Sequence, residues 1–151
     1  MSSDAVRSPR LRQQVRFLDR SDRDLGEVLR IEVVQEPGPI VPPHVHPAQE
    51  ERFHVVAGDI SLRIGRRRLR LGAGESATVP PGTAHSFRVR GGEAARLINE
   101  SRPPLDTKEC FVETFELDRS ADPWVRQAGR PDADRAEIPT RVSFLRAGEG
   151  T

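Results

Sequence analysis

The stretch Pro43-His44-Val45-His46-Pro47-Ala48-Gln49-Glu50-Glu51-Arg52-Phe53-His54-Val55-Val56 decides how this chain is read. Side chains on a β-strand alternate between faces, so residues two apart point the same way. His44 and His46 therefore reach one centre from one face. Pro47 has no N–H to give a ladder and interrupts the strand, which resumes at Glu51. Beyond it, Glu51, Phe53 and Val55 share one parity, and Arg52, His54 and Val56 take the other. The parity carrying Phe53 and Val55 is the inward one, which selects Glu51 rather than Glu50 as the carboxylate beside the histidine pair. A register shift of one residue would exchange the two glutamates. His54, on the opposite parity, is expected on the outer face or at an interface.

A third histidine follows the turn Pro80-Pro81-Gly82, at His85. The segment His85-Ser86-Phe87-Arg88-Val89-Arg90 alternates, so His85 shares a face with Phe87 and Val89. Three of the chain's 4 histidines thus fall on inward parity together with one carboxylate. Three neutral imidazoles and a carboxylate suit a divalent first-row metal, and iron, manganese, nickel and zinc all accept such a set. Cys110 is the only cysteine, which excludes a cysteine-based structural zinc site and a disulfide framework.

Outward from these segments, Glu27–Val34 reads as a strand with Leu29, Ile31 and Val33 on the core side. Further strands are expected at 11–19, 51–56, 59–64, 67–71, 75–79, 85–89, 95–100 and 109–117, with Gly65-Arg66 as a short hairpin turn. Short strands joined by turns, with little helical periodicity between 27 and 117, predict an antiparallel sandwich or barrel. The expected organisation is a flexible N-terminal tail over 1–10, one β-domain over 11–117, and a C-terminal segment over 118–151. In that last segment, 123–136 reads as one or two short helices and 141–145 as a short strand or docked tail. Trp124 is expected to pack the segment onto the domain or a second subunit.

The chain has 151 residues, enough for one domain with a proper core, and 24 basic against 23 acidic side chains. That balance gives no overall pull toward nucleic acid or membranes. The run Arg63-Ile64-Gly65-Arg66-Arg67-Arg68-Leu69-Arg70 is locally basic, but it has no aromatic residue for stacking on bases, and Ile64 and Leu69 sit at inward positions. It reads as a solvated hairpin whose charges discourage edge pairing, and no nucleic-acid partner is expected. No apolar run approaches a membrane span, and Met1–Arg7 lacks the apolar core of a signal peptide. A cytoplasmic protein with no membrane partner is the expectation.

The spacing of these residues resembles the two motifs of the cupin superfamily. The first motif is glycine, five residues, His-x-His, three or four residues, Glu, six residues, glycine; Gly38, His44, His46, Glu51 and Gly58 match it. The second is glycine, five residues, Pro-x-Gly, two residues, His, three residues, Asn; Gly74, Pro80, Gly82 and His85 match it, while Val89 stands in the asparagine position. The likeness is to single-domain, quercetinase-like small cupins. It implies an all-β fold, a double-stranded β-helix or jelly-roll barrel with a short irregular or helical C-terminal segment. It also implies one divalent transition metal (Fe, Mn, Ni or Zn) held by His44, His46, Glu51 and His85, and a homodimer in which the strand around Val15–Leu18 is exchanged. An enzyme is the leading expectation: a dioxygenase acting on a small oxygen-bearing molecule, with Glu51 also as general base. Cyclase or isomerase chemistry, or non-catalytic binding of a small molecule, are the alternatives. From parity, Phe53, Phe87, Leu62, Ile31 and Asn99 are candidates to line the pocket. Cys110 is expected to be a buried small residue and not a nucleophile.

Overall fold

A computed structural model describes residues 5–23, 26–119 and 143–144. In chain order the elements are β1 (Ala5–Ser8), β2 (Gln13–Arg23), β3 (Gly26–Gln35), β4 (Val41–Val45), β5 (Glu50–Ala57) and β6 (Asp59–Ile64). They continue with β7 (Arg67–Gly72), β8 (Ser76–Val79), β9 (His85–Val89), β10 (Ala95–Arg102), α1 (Thr107–Arg119) and β11 (Ser143–Phe144). The strands form a six-stranded sheet in the order β1-β2-β3-β10-β5-β8 and a five-stranded sheet in the order β11-β4-β9-β6-β7. The fold is thus the mainly β jelly roll expected, with one short helix among the described residues. Among the described residues no ladder joins the two sheets, so it is an open sandwich and not a closed barrel.

Alternation builds the core. On β10, Ala95, Leu97, Asn99 and Ser101 are buried, and the residues between them are partly or fully exposed. β5 does the same with Glu51, Phe53 and Val55, and β9 with His85, Phe87 and Val89. Phe53, Val55, Ile60, Leu62 and Leu97 are each at most 1% exposed. Burying a large apolar side chain of this kind stabilises by about 2 kcal/mol. The sharp step from β5 to β6 depends on Gly58. Its φ is +90°, and a Cβ there would lie 2.8 Å from the Ala95 Cα, so both the conformation and the space require glycine. Gly65-Arg66 connects β6 to β7 as expected, with Ile64 paired to Arg67.

Two expectations need correction. Residues 5–8, read as part of a loose tail, pair with β2 from Ala5↔Arg16 to Ser8↔Gln13, and Ser8 is fully buried. The segment 109–117, read as a strand, lies in α1. Asp106 precedes this helix and Glu109 falls in its first turn, where acidic groups favour a helix start. β2 pairs along its length with β3, from Gln13↔Gln35 to Arg23↔Gly26. Trp124, the helices at 123–136 and most of 141–145 lie outside the described residues; within the last, Ser143 and Phe144 pair with Val45 and His44.

Candidate metal centre

The four residues selected by parity converge. One potential ligand atom from each of His44, His46, Glu51 and His85 lies within 4.8 Å of the other three. β4 brings His44 directly opposite His85 on β9. β5 contributes Glu51 near its start, and His46 follows the end of β4. The Gly82 N–H donates to the His46 carbonyl at 2.9 Å, which ties the proline turn before His85 to the histidine pair. Glu50, the neighbour that a register shift would have placed here, faces outward instead, 3.8 Å from Arg102. His54 is on the outer face as expected, where Nδ1 lies 2.7 Å from the Ser76 hydroxyl.

Within the cluster Glu51 Oε2 lies 2.9 Å from His85 Nε2 and 3.1 Å from His46 Nε2. His44 Nδ1 donates to the Pro42 carbonyl at 2.8 Å, and His85 Nδ1 lies 3.3 Å from the Thr83 carbonyl. Anchoring Nδ1–H on a carbonyl leaves Nε2 with its lone pair directed to the centre, the tautomer a ligand needs. His46 is different: among the described residues neither of its buried ring nitrogens has a hydrogen-bond partner. Its approach to Oε2 is short without having hydrogen-bond direction. A buried imidazole with both nitrogens unsatisfied is costly unless something else bonds it.

Electrostatics put His44 and Glu51 in their ligating forms. Burial, aided by His85 and His46, depresses the pKa of His44 from 6.5 to about 3, so its imidazole is neutral at physiological pH. Burial alone would raise the pKa of Glu51, but short contacts from His46 and His85, and their charge, hold it well below the ordinary carboxylate range. The donor spacing fits a cation too. Ligands 2.0–2.2 Å from one ion at right angles stand about 3 Å apart, the separation seen between Glu51 and its two imidazole neighbours. The orphaned nitrogens of His46, the fixed tautomers and this spacing all suit a divalent transition ion.

Above the cluster is a cavity of about 110 Å³, largely apolar in its lining. Phe53, Phe87 and Asn99 line it. Leu62 and Ile31 do not; both are buried in the core, because parity gives the direction of a side chain and not its depth along the sandwich. The Phe53 ring stands edge-on to Phe87 at 5.6 Å and to His85 at 5.9 Å. Sequence reasoning missed the wall made by α1, where Cys110, Phe111, Thr114 and Phe115 face the cavity. The four-residue spacing of Phe111 and Phe115 was the signal, since it places both on one helix face. Cys110 is buried, as expected. Gln49 was also missed: its amide donates to the carbonyls of Pro103 and Pro104 and to Thr107 Oγ1, at 2.7, 3.0 and 2.8 Å. Val89, where the cupin motif has asparagine, is a core residue. Asn99 on β10 instead supplies an amide to the site, donating from Nδ2 to Glu51 Oε1 at 3.0 Å.

Comparison with known proteins agrees with this geometry. The polyketide synthase CurC of Streptomyces cyaneus is 28% identical over 105 residues, which cover 66% of this chain and 68% of that one. Among solved structures, an oxalate oxidase is 26% identical with a TM-score of 0.51, covering 60% of this chain and 51% of its own. The cupin domain of Schizosaccharomyces pombe Cnp3 is 20% identical with a TM-score of 0.50, covering 58% of this chain and 63% of that one, and so speaks for the fold alone. The family profile described as the Cupin domain matches residues 31–99, a span that holds all four clustered residues. With that profile, the jelly-roll topology and the His-His-Glu-His cluster in agreement, residues 31–99 of this chain form a cupin domain.

Proposed function

We propose that this protein is a mononuclear metal-dependent enzyme, a dioxygenase, acting on a small organic molecule with an apolar body and at least one acidic oxygen. The observation that carries this reading is the position of the four-ligand cluster beneath a phenylalanine-lined cavity. His44, His46, Glu51 and His85 would hold one divalent ion; Fe, Mn, Ni and Zn are the candidates. When bound, the ion supplies Lewis acidity toward an enol, phenol or carboxylate oxygen and, if redox-active, electrons for dioxygen. Three neutral imidazoles and one carboxylate leave a net positive charge there, which attracts an anionic oxygen. Phe53, Phe87, Phe111 and Phe115 hold the apolar body and exclude water, which strengthens that attraction. Among the described residues Glu51 is the one acidic residue on the cavity lining, and it is the proton acceptor in this scheme. Likeness to an oxalate oxidase supports oxygen chemistry. Oxalate itself, a compact dianion, is a poor match for this apolar lining.

Likeness to CurC favours a second reading, in which the same centre stabilises an enolate and promotes cyclisation or isomerisation without dioxygen. Metal analysis of protein purified without chelator, followed by oxygen-uptake assays with flavonols, β-diketones and catechols, separates the two. Uptake with any of these supports the dioxygenase. A tightly held metal with no uptake transfers the proposal to cyclase, isomerase or ligand-binding roles, and a chain that takes up no transition ion ends both enzyme readings. We further expect a cytoplasmic homodimer; equilibrium sedimentation at 16.8 kDa, the mass of one chain, contradicts the dimer.

A further inference from the structure

Glu51 has two carboxylate oxygens, and the fold treats them differently. Oε2 lies among the imidazoles, 2.9 Å from His85 Nε2 and 3.1 Å from His46 Nε2. Oε1 is turned away from them and accepts a hydrogen bond from Asn99 Nδ2 at 3.0 Å. Register sets up this contact. On the β5–β10 ladder Asn99 lies opposite Phe53 and Ser101 opposite Glu51, so Asn99 and Glu51 are diagonal neighbours on one face, within reach of each other's side chains. A carboxylate only accepts, so the amide nitrogen has to face it; turning the amide over would set two oxygens against each other.

Asn99 is 3% exposed, and its Oδ1 has no hydrogen-bond partner among the described residues. Leaving a buried carbonyl unsatisfied costs stability that an apolar residue would not. Its neighbours across both ladders, Phe53 and Ile31, are apolar, so packing gives no reason for an amide at this position. The bond to Glu51 does.

We propose that Asn99 is a positioning residue that restricts Glu51 to ligation through Oε2 alone and thereby reserves two positions on a six-coordinate ion for a substrate that chelates through two oxygens. The inference rests on the metal-centre reading above. Three imidazole nitrogens and one carboxylate oxygen fill four of six positions. If both oxygens of Glu51 bound, one position would remain, and a substrate could attach through a single atom only. The substrate class is therefore a molecule with two neighbouring oxygens, such as a β-diketone, an α-hydroxyketone or a catechol.

Cobalt(II) alone, added to wild type and to Asn99→Leu, gives a visible spectrum that reports binding of further ligands. Each cobalt protein is titrated with acetohydroxamate, a two-oxygen chelator, and with azide, which binds through one atom. Wild type is expected to bind both. Asn99→Leu is expected to keep cobalt and to bind azide within about threefold of wild type, while losing about tenfold or more in acetohydroxamate affinity. Equal chelator affinity in the two proteins overturns the inference, and so does an equal loss of both ligands, which marks a structural role only. Wild type that takes up neither cobalt nor any of the four candidate metals sinks the metal centre itself, at a step before the variant is compared. Asn99→Ala removes the same donor with less bulk and carries the comparison if leucine prevents folding.

Discussion

The two faces of the β5–β10 pair carry similar residues to opposite ends. Inward, Glu51 meets two imidazoles and an amide at about hydrogen-bond distance, with its side chain 12% exposed. Outward, Glu50 and Glu100 meet Arg102 at 3.8 and 3.9 Å, and the Glu50 side chain is 40% exposed. The two glutamates are consecutive in the chain, so neither composition nor local propensity separates them; the pleat does. Water screens the outer charges, and such pairs contribute about 0–1 kcal/mol. The inner carboxylate has lost its water, and its ionisation is compensated only by the groups built around it. A charge on this fold is therefore desolvated or solvated according to which side of the strand it leaves.

The sharpest way to break that contrast is to neutralise each glutamate in turn. Glu51→Gln is expected to lower affinity for a divalent ion by about 100-fold or more, since it removes a ligand and not merely its support, and Glu50→Gln to leave it within about twofold. Calorimetric titration with zinc measures both, and similar losses in the two would show that parity does not select the ligand.

Acid titration sharpens the same contrast with a smaller effect. The folded pKa of His44 is depressed from 6.5 to about 3, so between these values the unfolded chain binds more protons, and stability of the metal-free protein rises with pH. Glu51, also depressed, adds to the loss of stability in the acid part of that range. Urea midpoints at stepped pH should fall on acidification below about 6.5 by an amount worth on the order of a few kcal/mol. His44→Leu should flatten the slope. A slope that survives in this variant would place its source elsewhere. Smallest is the outer pair: Glu100→Gln should shift stability by less than about 1 kcal/mol, a difference that fades in ~1 M salt.

The site was largely legible because its information is local. His44 and His46, Glu51 with Phe53, and His85 with Phe87 each declare a face within a few residues, and the prolines and glycines between them mark the turns. Helix α1 was not legible for a specific reason. Phe111 and Phe115 stand four apart, a spacing that satisfies a two-residue and a 3.6-residue period alike, and so the alternation of 109–117 passed for a strand. The short edge strand Ala5–Ser8 has only one buried apolar side chain, Val6, against β2, too little pattern to distinguish it from a tail. Asn99 was placed inward by parity, but its partner 48 residues away depends on the register between β5 and β10, which no local window contains.

Gln49 has a consequence for anyone altering what the cavity accepts. Its amide fastens the entrance of α1, through Pro103, Pro104 and Thr107, to the chain two residues before Glu51. Enlarging the chamber by substitutions at Phe111 or Phe115 leaves that fastening intact, whereas changing Thr107 loosens it. Libraries aimed at bulkier molecules should diversify the middle of the helix and keep its first turn constant, so that appetite for new compounds can change without unseating the carboxylate.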